Sequence, residues 1–222
     1  EFYDPDSGEL KGFDVDTGEY IADYLNVEIK WIEMPFANLI PALQERKVDM
    51  TIAAMYINPE REEQVDFAEP YVNTGLVMVV RPDLAPKVKT VRDLAGLRVG
   101  VKIGATGEKL AQDLSVQGIA LEIVAYKETL DSFLDLEVGR VDVVFNDYLN
   151  TLVYLKNSPS GLVIVADDAG NVNYLSHVGL GIAVHQGDLE LLQAINAALL
   201  AMKRDGTFDL FYRTWLDSTA SE

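Results

Sequence analysis

Apolar positions in this chain follow two periodicities, and these alternate along the whole sequence. Short apolar runs, several with every second residue polar, predict strands, and apolar residues three or four positions apart predict helices. The predicted strands cover 27–32, 48–53, 75–80, 97–101, 121–124, 141–146, 162–165 and 177–184. The predicted helices cover 15–25, 38–44, 90–94, 106–114, 129–138, 148–156, 189–204 and 208–215. Strands that alternate with helices favour an α/β fold with parallel sheets.

The order of these elements predicts two lobes. Pro82 and Pro86 interrupt the pattern after the strand at 75–80, and the alternation of helices and strands then starts again. We expect one lobe to contain 1–74 and 176–222 and the other to contain 75–175. The chain would cross between them twice, near 71–75 and near 173–177. The predicted fold is therefore two Rossmann-like α/β lobes joined by a two-strand hinge.

Charge and composition exclude several classes of function. The 222 residues include 18 basic and 36 acidic side chains, which gives a net charge of −18. Such a surface repels nucleic acid and anionic lipid, so neither is an expected partner. The absence of Cys excludes thiol catalysis, zinc–thiolate sites and disulfides. The two His residues have no metal-binding spacing, and no cofactor motif or membrane-spanning apolar run is present. We expect no metal and no cofactor.

The first candidate for a binding residue is Arg61. It follows the strand predicted at 48–53, in a short helical turn that Asn58 would cap and Pro59 would begin. Ligands of open α/β sheets bind beyond the carboxyl ends of strands, and a guanidinium there can bind a carboxylate with two parallel hydrogen bonds. The alternative is a surface arginine paired with a nearby acid, namely Glu60, Glu62, Glu63 or Asp66.

Two further candidates follow strands of the second lobe. At 104–108 a glycine-bearing turn opens a helix, where free backbone N–H groups and the Thr106 hydroxyl favour an anion; the alternative is an ordinary capped helix. The strand at 141–146 ends in Asn146 and Asp147. Asp147 is either the N-cap of the next helix or a partner for a ligand ammonium. Phe36 is either an aromatic wall of the pocket or part of the core.

Taken in order, these segments resemble the polar amino-acid-binding proteins of ABC importers, which are two-lobed periplasmic solute receptors, and are most similar to the glutamine-binding type. The resemblance extends from 8 to 216. The motifs that carry it are Gly12–Asp16, Leu39–Leu43, Ile57–Arg61, Val65–Phe67, Gly104–Glu108, Arg140–Val144, Gly181–Val184 and Asp205–Trp215.

The resemblance implies a site that clamps a zwitterion in the cleft between the lobes. Arg61, helped by the backbone N–H of Thr106, would bind the α-carboxylate of the ligand, and Asp147 would bind its α-ammonium. Phe36 would line the side-chain pocket, and Lys102 would reach the side chain of the ligand. Closure of the lobes around the ligand would pair every buried charge, which makes the burial of a zwitterion tolerable.

Several positions depart from the pattern of that family. Tyr56 stands where relatives usually have Ser or Thr, Ala54 stands where Gly or Ser is common, and Ala105 replaces a frequent Thr. The family's first strand and a loop with a stacking aromatic should precede Glu1, so we expect either that the sequence is truncated there or that this segment comes from another source. Lys102 and Asn146 favour a ligand side chain that forms hydrogen bonds, such as that of glutamine or an acidic amino acid.

The predicted function is an extracytoplasmic receptor that binds a polar L-amino acid and delivers it to the permease subunits of an ABC importer. We expect a monomer without enzymatic activity, located in the periplasm or held at the outer face of a membrane. One alternative is an enzyme on the same fold that resembles the cyclohexadienyl dehydratases and would need an acid in its pocket. The other is the ligand-sensing domain of a membrane receptor.

Overall fold

The computed structural model describes residues 1–4, 7–158 and 160–216. The strands are β1 Phe2–Tyr3, β2 Leu10–Lys11, β3 Met50–Thr51, β4 Val65–Phe67, β5 Val72–Val80, β6 Arg98–Lys102, β7 Glu122–Tyr126, β8 Val143–Asp147, β9 Val163–Ile164, β10 Tyr174–Leu180 and β11 Ala183–His185. The helices are α1 Phe13–Leu25, α2 Leu39–Gln44, α3 Pro59–Glu62, α4 Thr106–Val116, α5 Thr129–Glu137, α6 Tyr148–Asn157, α7 Leu189–Arg204 and α8 Thr207–Trp215, with 3₁₀ turns at Phe36–Asn38 and Val91–Leu94. None of the helices in the described ranges is long and apolar enough to cross a membrane.

The chain divides into two compact units. Unit 1 contains Glu1–Asn73 and Val178–Glu222, and unit 2 contains Thr74–His177. Each unit combines helices with a sheet, so the predicted fold class of two α/β lobes is confirmed. Strands β5 and β10 each begin in one unit and end in the other. The lobe limits expected from the sequence, 1–74 with 176–222 and 75–175, remain predictions.

The sheet of unit 2 places the ends of β6 and β8 next to each other. Its strand order is β10-β5-β8-β6-β7, with β9 paired to β5. Strand β6 is parallel to both β7 and β8, and helices α4 and α5 make the connections that parallel strands require. Strand β5 is antiparallel to β8 and β9. The expectation of a parallel sheet was therefore only partly right, because β5 runs antiparallel to its neighbours β8 and β9.

The sheet of unit 1 is smaller than the sequence predicts. Strands β3 and β4 flank β11, and both are antiparallel to it. The strand predicted at 48–53 is reduced to β3, and the strand predicted at 177–184 is interrupted between β10 and β11. The interruption includes Gly181, where an added Cβ would lie 2.7 Å from the side chains of Ile57 and Phe67. The short strands β1, β2 and β4 were not predicted.

The strand predicted at 27–32 is not formed. A cavity of about 450 Å³ lies between this segment and the residues around β3, and its apolar lining includes Ile21, Leu25, Ile29, Met34, Ile52 and Leu191. The segment also packs on α1, where an added Cβ at Gly18 would lie 2.5 Å from the ring of Trp31. A strand exists only where a neighbouring strand accepts its hydrogen bonds, and here a cavity separates the two segments.

Aromatic packing joins the first and last helices of unit 1. The ring of Phe13 stacks on Tyr71 at 6.0 Å between centroids and meets Phe208 and Tyr212 edge to face. Gly206, with a φ of 84°, separates α7 from α8, as the sequence predicted. This packing fixes the start of α1 and therefore the position of Asp14, which follows Phe13.

Candidate functional site

Helix α3 presents Arg61 as the sequence predicted. Asn58 has extended backbone angles, and its side chain accepts a hydrogen bond from the backbone N–H of Arg61 at 2.9 Å. Pro59 occupies the first turn, where its missing N–H costs nothing. The cap and the proline therefore set the direction of a helix of only four residues.

Arg61 is a buried cation, not a surface arginine. The residue is 7% exposed, and its Nη1 donates to the carbonyl oxygen of Tyr56 at 2.8 Å. Its guanidinium carbon lies 5.3 Å from the ring centroid of Phe36, within range of a cation–π contact. Burial lowers the pKa of Arg61, while the charge of Glu60 opposes the shift. The alternative of an arginine on the surface is therefore wrong, and Phe36, which is half-buried, contacts the guanidinium.

Ala54 and Tyr56 belong to the turn that precedes α3. Ala54 has a φ of 48°, in the left-handed region that residues other than glycine rarely adopt. Tyr56 is 4% exposed and forms an isolated bridge with Leu180, so its side chain lies in the interior of unit 1. Its carbonyl oxygen accepts the hydrogen bond from Nη1 of Arg61.

Asp14 is a buried carboxylate that the sequence analysis missed. It is 7% exposed, accepts the backbone N–H of Ala54 at 2.8 Å and accepts the hydroxyl of Tyr71 at 2.9 Å. Burial raises its pKa to about 6, helped by the charge of Glu1, while the bond from Tyr71 acts in the other direction. The only signal in the sequence is an acid between two apolar residues, Phe13 and Val15.

In unit 2, the start of α4 forms the second group of candidates. Ala105 at the N-cap gives no side-chain hydrogen bond to the helix. The Thr106 hydroxyl is buried and has no hydrogen-bond partner within the described part of the chain. Glu108 reaches back and accepts the N–H of Gly104 at 2.7 Å. Gly107 allows the helix to approach β8 closely, because an added Cβ would lie 3.1 Å from Phe145.

Asp147 is the N-cap of α6, so that interpretation is confirmed. One carboxylate oxygen accepts the N–H of Asn150 at 3.0 Å, and the other accepts the hydroxyl of Thr74 at 2.9 Å. These two bonds hold the carboxylate in one orientation at the start of α6. The amide of Asn146 donates to Asn150 at 2.8 Å and to Thr151 at 3.0 Å, which ties it to α6.

Lys102 ends β6 and lies beside an acid. Its ammonium is 3.6 Å from a carboxylate oxygen of Glu128, which precedes α5. Because β6 and β8 are parallel neighbours, Lys102 and Asp147 end at the same edge of the sheet. Unit 2 thus gathers Lys102, Thr106, Asn146 and Asp147 at this edge, and unit 1 gathers Phe36, Ala54, Tyr56 and Arg61 around α3. Within the described ranges, no group of three or more His, Asp or Glu residues could hold a metal ion.

A family model and several curated relatives match this chain over most of its length. A model of the bacterial extracellular solute-binding proteins, family 3, matches residues 1–218. The chain belongs to this family. Among its curated relatives, the ABC transporter arginine-binding protein 1 of Escherichia coli (strain K12) is 35% identical over 209 residues, which cover 94% of this chain and 83% of that protein. The L-cystine-binding protein TcyJ of the same strain is 28% identical over 217 residues, which cover 98% and 78%.

Solved structures of the family match the fold. An ancestral arginine-binding protein bound to arginine has a TM-score of 0.88 and 37% identity, over 97% of this chain and 92% of that chain. An ancestral arginine-binding protein bound to glutamine has a TM-score of 0.84 and 38% identity, over 96% and 91%. The predicted resemblance to amino-acid-binding proteins of ABC importers is confirmed. Similarity to the glutamine-binding type in particular is not, since the curated relatives are named for arginine, cystine and histidine.

Proposed function

We propose that this chain is an extracytoplasmic receptor that binds a polar L-amino acid and delivers it to the permease subunits of an ABC importer. The observation that carries the proposal is the burial of Arg61 behind a turn that fixes its guanidinium. A buried cation is stable only when hydrogen bonds and a counter-charge satisfy it. A ligand α-carboxylate is an anion that this guanidinium can bind with two parallel hydrogen bonds.

The other polar groups would each bind a different remaining part of an amino acid. The uncapped start of α4, with the buried Thr106 hydroxyl, favours the second oxygen of the carboxylate. Asp147 supplies the negative charge for the α-ammonium, and its bonds to Thr74 and Asn150 hold it in one orientation.

We further propose that the ligand side chain carries a planar amide or guanidinium group, as in glutamine and arginine. The ring of Phe36 offers a flat apolar surface for such a group. Lys102 would donate to a side-chain oxygen, while Glu128 next to it would accept from side-chain N–H groups. Ala54, Tyr56 and Asn146 would set the depth and edges of the pocket. Relatives described as bound to arginine and to glutamine support this choice.

The family also supports the remaining parts of the proposal. Its members are extracellular solute-binding proteins, and the curated relative with 35% identity is an ABC transporter component. We propose that this chain likewise acts outside the cytoplasm, as a monomer, without enzymatic activity and with no nucleic-acid partner. The dehydratase and sensor-domain alternatives gain no specific support from the described contacts.

A ligand screen on refolded protein tests this function. Unfolding and refolding remove any carried-over ligand, and a ligand that binds only the native state then raises the unfolding temperature by mass action. We expect L-arginine or L-glutamine to give the largest shift among the twenty L-amino acids, with no shift for D-arginine. A shift with prephenate, together with release of phenylpyruvate, would contradict the receptor proposal and favour the dehydratase-like enzyme. No shift with any amino acid would contradict the proposal.

A further inference from the structure

We propose that Asp14 is a positioning residue of the ligand site. By accepting the N–H of Ala54, it holds the turn that aims the Tyr56 carbonyl at Arg61. Asp14 does not touch the ligand in this scheme and acts through the backbone. The inference rests on the proposed function of Arg61.

The bond between Asp14 and Ala54 compensates a conformational cost. With a φ of 48°, Ala54 is in the left-handed region, which is unfavourable for any residue with a Cβ. Such a conformation persists only when its surroundings determine it. The carboxylate of Asp14 does so, because its Oδ2 lies 2.8 Å from the Ala54 nitrogen.

Asp14 is itself held in place from its other side. The Tyr71 hydroxyl donates to Oδ1 at 2.9 Å, and the Tyr71 ring stacks on Phe13 in the first turn of α1. Both Asp14 and Tyr71 are buried, at 7% and 2% exposure. The carboxylate therefore accepts one backbone and one side-chain donor from a fixed position. Because the aromatic packing restrains Asp14, it also restrains the turn at Ala54.

The turn in turn orients the guanidinium. Two residues after Ala54, the carbonyl of Tyr56 accepts Nη1 of Arg61 at 2.8 Å. If Ala54 relaxed to an ordinary φ, the following peptide groups would rotate and this carbonyl would leave the guanidinium. Only the fraction of molecules with the correct turn would then bind, and the apparent Kd would rise in proportion.

The test compares variants at both ends of the bond. Asp14→Ala removes the acceptor, Asp14→Leu removes it while filling the space, and Asp14→Asn keeps an oxygen that can accept from Ala54. Ala54→Gly abolishes the conformational cost and is made alone and together with each Asp14 variant. Isothermal titration of refolded protein with L-arginine and L-glutamine gives the Kd, and urea unfolding gives the stability of the same samples.

We expect Asp14→Ala and Asp14→Leu to raise the Kd about tenfold. This factor corresponds to the conformational free energy of holding an alanine in the left-handed region. Asp14→Asn should change the Kd less than threefold, and Ala54→Gly alone gives the reference Kd against which the double variants are judged. The decisive result is rescue, in which adding Ala54→Gly to Asp14→Ala or Asp14→Leu restores most of the affinity. A loss of stability alone would not produce this pattern.

Two results would overturn the inference. Either Asp14→Leu, folded by urea titration, binds as tightly as the unmodified protein, or Ala54→Gly fails to restore the affinity of a folded Asp14 variant. If Asp14→Ala and Asp14→Leu both fail to fold, Ala54→Val decides, since a β-branched residue in the left-handed region should raise the Kd with Asp14 intact. If the unmodified protein binds neither amino acid, the proposed function is contradicted as well. Failure of the Asp14 inference alone is therefore distinguishable from failure of the proposed function.

Discussion

The two groups of candidate ligand residues differ in how buried their charged side chains are and in which groups stabilise those charges. In unit 1, Arg61 is a buried cation supported by a carbonyl, a ring and a backbone turn that Asp14 holds. In unit 2, Asp147 is a half-buried carboxylate that already caps a helix and accepts a hydroxyl. A buried charge depends strongly on its partner, whereas a half-buried charge with its own donors depends less on any one of them. Substitutions in unit 1 should therefore have larger effects than those in unit 2.

The largest effect is expected for Arg61→Ala. Removal of a buried charge that pairs with the ligand should weaken binding at least about a thousandfold, in the range measured for such pairs. The free energy of unfolding should change by no more than about 1 kcal/mol, because a desolvated cation is removed along with its contacts. Titration calorimetry and urea unfolding measure the two. Arg61→Lys is the matched control, which keeps the charge without the two-pronged donor and should be intermediate.

Asp14 should make stability depend on pH. Its pKa is raised to about 6 in the folded protein, so the unfolded chain loses this proton first as the pH rises. Its contribution is therefore complete below the ordinary carboxyl pKa and is lost as the pH approaches 6, by roughly 3 kcal/mol. Urea unfolding at pH 4, 5, 6 and 7 should show this loss relative to Asp14→Asn, which cannot titrate. A constant difference between the two proteins would refute the assignment.

Asp147→Asn isolates the charge in unit 2. Asparagine remains a good N-cap, so the stability of α6 should be kept, while the α-ammonium loses its counter-charge and the Kd should rise about a hundredfold. Calorimetry with an amino acid and with its analogue lacking the α-amino group checks the role. The analogue should bind both proteins equally weakly. An analogue that binds the unmodified protein as tightly as the amino acid would exclude Asp147 as the ammonium site.

Thr106→Val removes the buried hydroxyl while keeping the shape of the side chain. The hydroxyl has no protein partner in the described ranges, so valine should leave the stability unchanged or higher, while the loss of one hydrogen bond should raise the Kd about fivefold. Thr106→Ser keeps the hydroxyl and serves as the control. Equal affinities for the valine and serine variants would show that the hydroxyl does not bind the ligand.

The smallest effect is expected at Lys102 and concerns selectivity. Lys102→Ala removes a cation that repels an arginine side chain, so the Kd ratio of L-arginine to L-glutamine should fall about threefold, as for a partly exposed charge. Glu128→Gln is the opposite change, since it removes the acid 3.6 Å from Lys102, and it should raise this ratio. Competition calorimetry resolves changes of this size. Shifts in the same direction in both variants would contradict the assignment.

Local patterns predicted the parts of the structure that local interactions determine. The cap at Asn58, the proline after it and the start of α3 lie within a few residues of one another, so the sequence reveals them. The same holds for α4, for α6 with its cap at Asp147, and for the stop at Gly206. The motifs also identified the family correctly.

Features that depend on distant contacts could not be predicted in this way. Asp14 meets Ala54 and Tyr71 at separations of 40 and 57 residues, so no local pattern reveals the interaction. The apolar run at 27–32 has the composition of a strand but no partner strand across the adjoining cavity. The break before β11 depends on the approach of Ile57 and Phe67 to Gly181. In each case the deciding contact comes from another part of unit 1.

The central claim is that Arg61 is kept buried for the α-carboxylate of a ligand. Titration of refolded protein with L-arginine and L-glutamine, each beside its analogue lacking that carboxylate (agmatine and 4-aminobutanamide), tests it directly. The account predicts that the amino acid binds, that its analogue binds at least about a thousandfold more weakly, and that Arg61→Ala removes the difference. An analogue that binds the unmodified protein as tightly as its amino acid, or a difference that survives in Arg61→Ala, would contradict the account.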